Sequence, residues 1–579
     1  MNYKYWADFN AQTELKKYGS NSLVLYALQL RFGIEDIESV AAECLTDGYE
    51  DKKCDLLYID ENEGVAVIAQ AYMKQNPQPG ERPKLTKACD LNTAAGWVLG
   101  RNIEAVPNIL KSAVATLQNA IATDAISSIY FWYSHNCYES KEVSNELKTV
   151  ETTATALLGQ LVPGTSINVY GIEVGNSTLE KWYLNTTNKI LVADKITIPL
   201  PYGGFEITGE KWKAYQAYIS GPQLYYLYKR YGDDLFSANP RRFLGIGKKT
   251  NAINLGIKLS AENAAQNFWA YNNGITALVH NYTYEDNQLN IEGISIINGA
   301  QTTGSLGNLS GRPNEGLYVS LRVITCTDGP TIDAIISNNN KQNEMMPSDF
   351  RSNDQCQSRL RGEFEKYPQL YYSGGQRSNL HPRSREVFDP GIVAQTLLAY
   401  NGNPVDAYSS KKDIWDEDKL YASIFNSELS AEHIIFVYSL SKTIDSIKFE
   451  LQKKKNINQI LDNELNQLEF LCKRGSRILL LATIARNLEI IIQKKIVSFS
   501  KIHFDDNTIF ENCVNWWKPI VSSTLSFHWH LLSALSAGGL DSKEKANTAM
   551  TGIGELLSAI ITTIEPQIAD LKRHIVINP

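Results

Sequence analysis

DKKCDLLYIDENEGVAVIAQAYMK, residues 51–74, decides how the N-terminal third of this 579-residue chain is read. Cys54 to Ile59 is a short apolar strand, Asp60 to Gly64 (DENEG) a polar hairpin loop, and Val65 to Met73 a second strand of β-branched and apolar residues. Side chains alternate along a strand, so Gln70, Tyr72 and Lys74 share one face, and a tight hairpin brings Asp55 alongside it. Helical spacing precedes the pair, from Asn10 to about Phe32 and from Ile34 to about Leu45. After it come a helical stretch (Ala94 to Ile121), a strand (Ile126 to Tyr133), a helix (Glu142 to Leu161) and a strand (Ser166 to Val174). That order describes a small α/β unit with a mixed sheet, residues 1–180.

The pair carries a chemistry. Two oxygen-bearing side chains on adjacent strands can hold Mg²⁺ or Mn²⁺, hard cations that take carboxylate and carbonyl oxygens. A lysine beside them orients water or offsets the charge that develops in phosphodiester cleavage. Asp55 and Gln70 are the candidate metal ligands, and Asp55, Gln70, Tyr72 and Lys74 the candidate catalytic set. The plain alternative is an aspartate at a strand start and a Gln–Tyr–Lys face at a sheet edge. The arrangement resembles the PD-(D/E)XK nuclease superfamily, which implies a restriction-endonuclease-like mixed sheet. It also implies a third ligand from the first helix, where Glu14 stands. The chain departs from that pattern twice: Gln70 replaces the second carboxylate, and Tyr72 stands where the pattern has lysine. Lys74 lies two residues further, about 6–7 Å along the strand.

The rest of the chain divides by composition. Residues 181–400 are rich in Asn, Gly and short apolar runs and are expected to form an α+β domain. Residues 401–579 read as an all-α domain, with helices over Ala431 to Lys454, Ile457 to Lys473, Ser476 to Lys495 and Lys543 to His574. With 43% apolar residues the chain has material for more than one core. A net charge of −7 excludes a uniformly basic, histone-like surface and leaves local patches to meet a polyanion. The eight cysteines are scattered without a CxxC pair and read as reduced core thiols. No HExxH, P-loop or GxSxG occurs, so zinc-protease, ATPase and α/β-hydrolase chemistry are not indicated. MNYKYWADFN has no basic start followed by an apolar stretch, and no run is long enough to span a bilayer. A soluble, cytoplasmic protein without a membrane partner is expected.

Five motifs mark the central block: NPRRF (Asn239 to Phe243), FWAYNNGIT (Phe268 to Thr276), IINGAQT (Ile296 to Thr302), NNNKQN (Asn338 to Asn343) and SDFRSND (Ser348 to Asp354). In this order they resemble the AIPR family, the abortive infection phage resistance proteins. The resemblance implies bacterial antiviral defence, makes glutamine expected at position 70, and brings a predicted nuclease activity. Residues 235–270 hold Arg241, Arg242, Lys248, Lys249 and Lys258 against the single acid Glu262. A second basic cluster comprises Lys341, Arg351, Arg377, Arg383 and Arg385. Arg241, Arg242, Lys248, Lys249, Lys341 and Arg377 are candidate phosphate contacts, and Asn272, Asn273, Asn298 and Gln301 candidate groove-lining amides. The alternative for the asparagines is self-capped turns at NNG and NG, and for the cations a solvated face.

Together these readings point to a Mg²⁺- or Mn²⁺-dependent nuclease acting on nucleic acid, with DNA favoured over RNA. The competing reading is a binding or sensor subunit that kept the scaffold and works with partner proteins. A homo-oligomer through the helical C-terminus is a further expectation.

Overall fold

The computed structural model describes residues 3–577 except 47–50, 62, 76, 78–79, 164–166, 188, 239–247, 342–350, 352–353, 375–384, 410–412, 506–508 and 537–538. It is a mixed α/β molecule with several sheets and many helices. The chain opens with α1 (Lys4–Ala11), a 3₁₀ segment (Thr13–Asn21), α2 (Ser22–Phe32) and α3 (Ile37–Cys44). The continuous helix expected from Asn10 to Phe32 is broken at Gly19, whose φ of 56° and ψ of −123° no helix accommodates. Asp36 caps α3 by accepting from the Ser39 N–H at 3.0 Å.

β1 (Leu56–Asp60) and β2 (Val65–Tyr72) form the expected hairpin, with Leu56 opposite Ala69. β2 then pairs in parallel with β3 (Ser128–His135), and β3 with β4 (Asn168–Val174). Between β2 and β3 lie α4 (Leu85–Leu99) and α5 (Asn108–Ala122). The one helical stretch expected over Ala94 to Ile121 is thus two helices, divided between Gly100 and Pro107. α6 (Lys141–Leu161) links β3 to β4, and α7 (Asn176–Thr187) follows.

The sheet is covered on both faces, which is why β2 reads VAVIAQAY with no polar alternation. Val65, Val67, Ala69 and Ala71 pack with α1, α2 and α3. Ala66 and Ile68 pack with α4, α5 and α6. α4 is fixed by Leu91, Val98 and Leu99, at most 1% exposed, each contributing about 1.5–3 kcal/mol of burial. Gly171 in β4 lets α6 approach closely, since a Cβ there would lie 2.6 Å from the Leu147 carbonyl oxygen.

A seven-stranded sheet follows. Its strands are β5 (Val192–Pro199), β6 (Phe205–Thr208), β7 (Trp212–Ser220), β8 (Ile275–Val279), β9 (Asn281–Glu285), β10 (Gln288–Asn298) and β11 (Tyr318–Cys326). The path runs β5-β10-β8-β11-β7-β6, with β9 also on β10. The third large core draws on residues from Leu360 to Ile575 around the helix Ala431–Asn456. The all-α expectation for residues 401–579 needs correction: strand Ile502–Phe504 pairs with Ile575–Ile577, and Leu535–Ser536 with Gly539–Leu540. Trp517 is fully buried there, whereas Trp529 is 53% exposed. All eight cysteines are free; Cys44, Cys54, Cys137 and Cys513 are core residues as expected, but Cys89 is exposed.

The N-terminal sheet is docked on the helical core by buried charge. Lys442, 8% exposed, lies 2.6 Å from Asp36, 3.3 Å from Glu386 and 3.8 Å from Glu38. Arg477 joins Glu43 of α3, at 3.0 Å, to Asp445, at 3.2 Å.

Candidate functional site

Asp55 stands just before β1, and the hairpin register sets it beside the carboxyl end of β2, with its N–H donating to the Ala69 carbonyl at 2.9 Å. Its Oδ2 accepts from the Ala71 N–H at 2.7 Å. Asp55 and Leu57 alternate onto the α4 face, as do Ile68 and Gln70. The structure therefore brings Asp55 and Gln70 together on one face. Asp55 is 6% exposed and Gln70 1%. Gln70 is the polar side chain within an otherwise apolar strand and requires a partner.

That partner is a residue the sequence reading did not single out. Lys87, in the first turn of α4, donates to Gln70 Oε1 at 2.8 Å and lies 3.9 Å from Asp55 Oδ2. The cation beside the two oxygens thus comes from the helix after the strand pair. Its placement has a visible cause. Tyr133, opposite Gln70 on β3, donates its hydroxyl to the Lys84 carbonyl at 3.0 Å. The same carbonyl accepts from the Lys87 N–H at 3.1 Å. Pro83 and the extended backbone of Lys84 end the preceding loop and start the helix there. A signal was available in PKLTKACD, where a proline precedes a helical run carrying lysines, but residues 75–93 lack a clear apolar period.

Lys74 stands elsewhere. Its ammonium is ion-paired with Glu81, and its backbone is held by Asn136, which donates to the Lys74 carbonyl at 2.7 Å and accepts from its N–H at 2.9 Å. The Glu81 carboxylate raises the Lys74 pKa. Tyr72 shares the face of Gln70, with the Lys84 ammonium 5.6 Å from its ring centroid. Glu14 is not brought to the pair: Leu15, its neighbour, packs on the opposite face of the sheet with Val65 and Val67. Burial raises the Glu14 pKa, aided by Glu38 and opposed by Lys17. Among the described residues no three of His, Cys, Asp and Glu are grouped to hold a metal ion.

The central residues separate differently. Arg241, Arg242 and Arg377 lie outside the described residues, as do the side chains of Lys248, Lys249 and Lys341. The Asn272 amide caps its own turn, accepting from the Gly274 N–H at 2.8 Å, and donates to Thr302 at 3.0 Å. Asn298 donates to the Asn339 carbonyl at 3.0 Å. Gly274 and Gly299 explain the NNG and NG motifs: both have positive φ, and a Cβ on Gly299 would lie 2.7 Å from the Gly274 carbonyl oxygen. Asn273 is exposed and Gln301 half-buried at the start of a short helix, Ala300–Gly307. Arg351 donates to the Trp415 carbonyl at 2.8 Å and to Asp418 at 2.7 Å, a tie to the helical core.

No helix among the described residues is long and apolar enough to cross a membrane. No curated protein and no solved structure matches the chain. The family model described as AIPR protein matches residues 236–526, just over half of the 579 residues. The match takes in all five central motifs and leaves Asp55, Gln70 and Lys87 outside it. It fits a bacterial protein of defence against phage. The chain belongs to the AIPR family.

Proposed function

We propose that this protein is a metal-dependent nuclease of anti-phage defence whose site comprises Asp55, Gln70 and Lys87. The observation that supports it is the position of the Lys87 ammonium, 2.8 Å from Gln70 Oε1 and 3.9 Å from Asp55 Oδ2. One carboxylate and one amide oxygen on adjacent strands are hard donors that suit Mg²⁺ or Mn²⁺. When bound, such an ion would supply charge neutralisation at a phosphate and a more acidic water. Asp55 and Gln70 would hold it. Lys87, able to swing on its four-carbon stem, would move off Gln70 to face the scissile phosphate and offset its developing charge. Lys74, engaged with Glu81, takes no part. The central Asn-rich block with its basic residues grips nucleic acid, DNA before RNA, through phosphate contacts.

The test is cleavage of supercoiled plasmid and of a structured RNA with Mg²⁺ or Mn²⁺. Asp55→Ala and Lys87→Ala are expected to abolish turnover, while Lys74→Ala retains it. Equal cleavage by wild type and Asp55→Ala, or no cleavage by the wild type, refutes the proposal.

A second reading, a nucleic-acid-binding or sensor subunit acting with protein partners, draws on burial. Asp55 and Gln70 are 6% and 1% exposed and are bonded within the protein. It expects salt-dependent DNA binding with no turnover under any metal. Self-assembly through the helical C-terminus, where Trp529 is exposed, is tested by sedimentation of Trp529→Ala.

A further inference from the structure

A cavity of about 770 Å³ lies where the N-terminal sheet domain meets the helical core. Its walls include Tyr18, Leu45 and Ile109 from one side and Leu370, Phe449 and Val514 from the other. The volume is that of a small-molecule site, and junctions between domains are where such sites concentrate. Ligand chemistry follows from which lining charges are already paired. Lys442 is held by Asp36, Glu386 and Glu38; Lys17 is paired with Glu38; Asp445 is paired with Arg477. Glu511 has no described ion-pair partner but sits in the first turn of the helix Phe510–Leu525, whose amino terminus favours its charge.

Two lining cations remain without a carboxylate among the described residues. Lys448 donates to the Ala42 carbonyl near the end of α3, and Lys453 is exposed five residues, about one and a half turns, further along the same helix. Beside them are two rings. Tyr18 and Phe449 meet edge to face at 5.4 Å, and the Lys17 ammonium lies 5.2 and 5.4 Å from their centroids. Lysine pairs suit a dianionic phosphate, and ring faces suit a planar base. An apolar tail would offer neither ammonium a counter-charge.

We propose that this cavity binds a mononucleotide-sized aromatic phosphate, its phosphate on Lys448 and Lys453 and its base against Tyr18 and Phe449. The site is separate from Asp55, Gln70 and Lys87, and the proposal does not rest on nuclease activity.

The test is calorimetric titration of the full-length protein with AMP, ATP, inorganic phosphate and sodium laurate. AMP or ATP is expected to bind saturably, more tightly than phosphate alone or laurate. Lys448→Gln with Lys453→Gln is expected to weaken the nucleotide at least about tenfold, with an unchanged circular dichroism spectrum. In the wild type, 8-azido-AMP is expected to label the segment around Tyr18, the segment 442–457, or both, upon irradiation. The proposal is overturned by no saturable nucleotide binding up to millimolar concentration, by phosphate alone or laurate binding as tightly, by a double variant that binds like the wild type, or by photolabelling confined to other segments.

Discussion

Lys442→Met is the sharpest probe of how the N-terminal sheet is held to the helical core. Methionine fills the space of the lysine stem but removes the ammonium that lies 2.6 Å from Asp36 and 3.3 Å from Glu386. Asp36 keeps its bonds from the Ser39 N–H and the Tyr438 hydroxyl, yet those dipoles do not replace a full charge. Removing one partner of a buried ion pair costs about 3–5 kcal/mol. With a urea slope of about 3 kcal/mol per molar, the transition that separates the two parts should fall by about 1–1.7 M. The pH dependence gives a second readout. Burial pushes the Asp36 carboxyl up, but Lys442 overrides it and holds the pKa below its usual value. In the wild type that stabilisation is present above the ordinary carboxylate range and is lost as pH falls through the folded value. In the variant the carboxylates of Asp36 and Glu386 lose their cation and their folded pKa values rise. The deficit is then largest near pH 7–8 and shrinks as acid protonates them. Urea titrations followed by far-UV circular dichroism at pH 5 and 7.5 measure both. A deficit under about 1 kcal/mol at pH 7.5, against the 3–5 anticipated for a broken buried pair, or one that grows on acidification, would refute the reasoning.

Tyr133→Phe removes the hydroxyl that holds the Lys84 carbonyl; hydrogen exchange at the Lys87 amide should quicken about fivefold, the equivalent of about 1 kcal/mol, and unchanged exchange would separate Tyr133 from Lys87 placement. Gly171→Ala forces a Cβ to within 2.6 Å of the Leu147 carbonyl, and α6 must shift at a cost of about 1–3 kcal/mol, read as an earlier unfolding transition. Burial lowers the pKa of His433 to about 4 although its ring is hydrogen-bonded to the Ile502 carbonyl, with His503 adding to the depression. Because the unfolded state binds the extra proton between pH 6.5 and 4, stability falls through that window as pH drops, by up to about 3 kcal/mol. His433→Gln should flatten that slope in melting curves recorded across it, and an unchanged slope would assign the effect elsewhere.

The strand pair was legible because its residues carry their own pattern: an apolar run, a polar loop closed by Gly64, and a second apolar run whose register aligns Leu56 with Ala69. Lys87 was not, because its relation to Gln70 depends on α4 folding back across the sheet, a contact fixed by Leu91 and Val98 in the core rather than by any local spacing. Glu14 shows the converse. Its helical segment was readable, but which sheet face it packs against is decided by Leu15 and its partners Val65 and Val67. The central sheet resisted naming because β10 pairs with β5, β8 and β9, and β8 pairs in parallel with β11 across an intervening helix. Long helices such as Ala431–Asn456 declare themselves by period, whereas three-residue strands such as Ile502–Phe504 do not.

Gln70 and Tyr72 both match a cation that reaches Asp55 from α4 rather than from the strand. A cluster of two carboxylates and a lysine, buried to the extent of Asp55 and Gln70, would carry a net negative charge in a low-dielectric setting and need a second cation to be stable. Glutamine at 70 removes that excess, so Asp55 and Lys87 balance each other and the amide oxygen serves as the acceptor for the ammonium. With the lysine supplied from α4, the strand position two residues beyond Gln70 is released from carrying charge. Tyr72 fills it, its ring packing against the sheet-facing core and lying within cation–π reach of Lys84. Glutamine at 70 and tyrosine at 72 therefore both accord with a cation that enters from α4. A lysine on a helix N-terminal turn, held by Tyr133 through the Lys84 carbonyl, couples the charge of the site to the packing of α4, so that any movement of that helix alters Asp55 and Gln70 together.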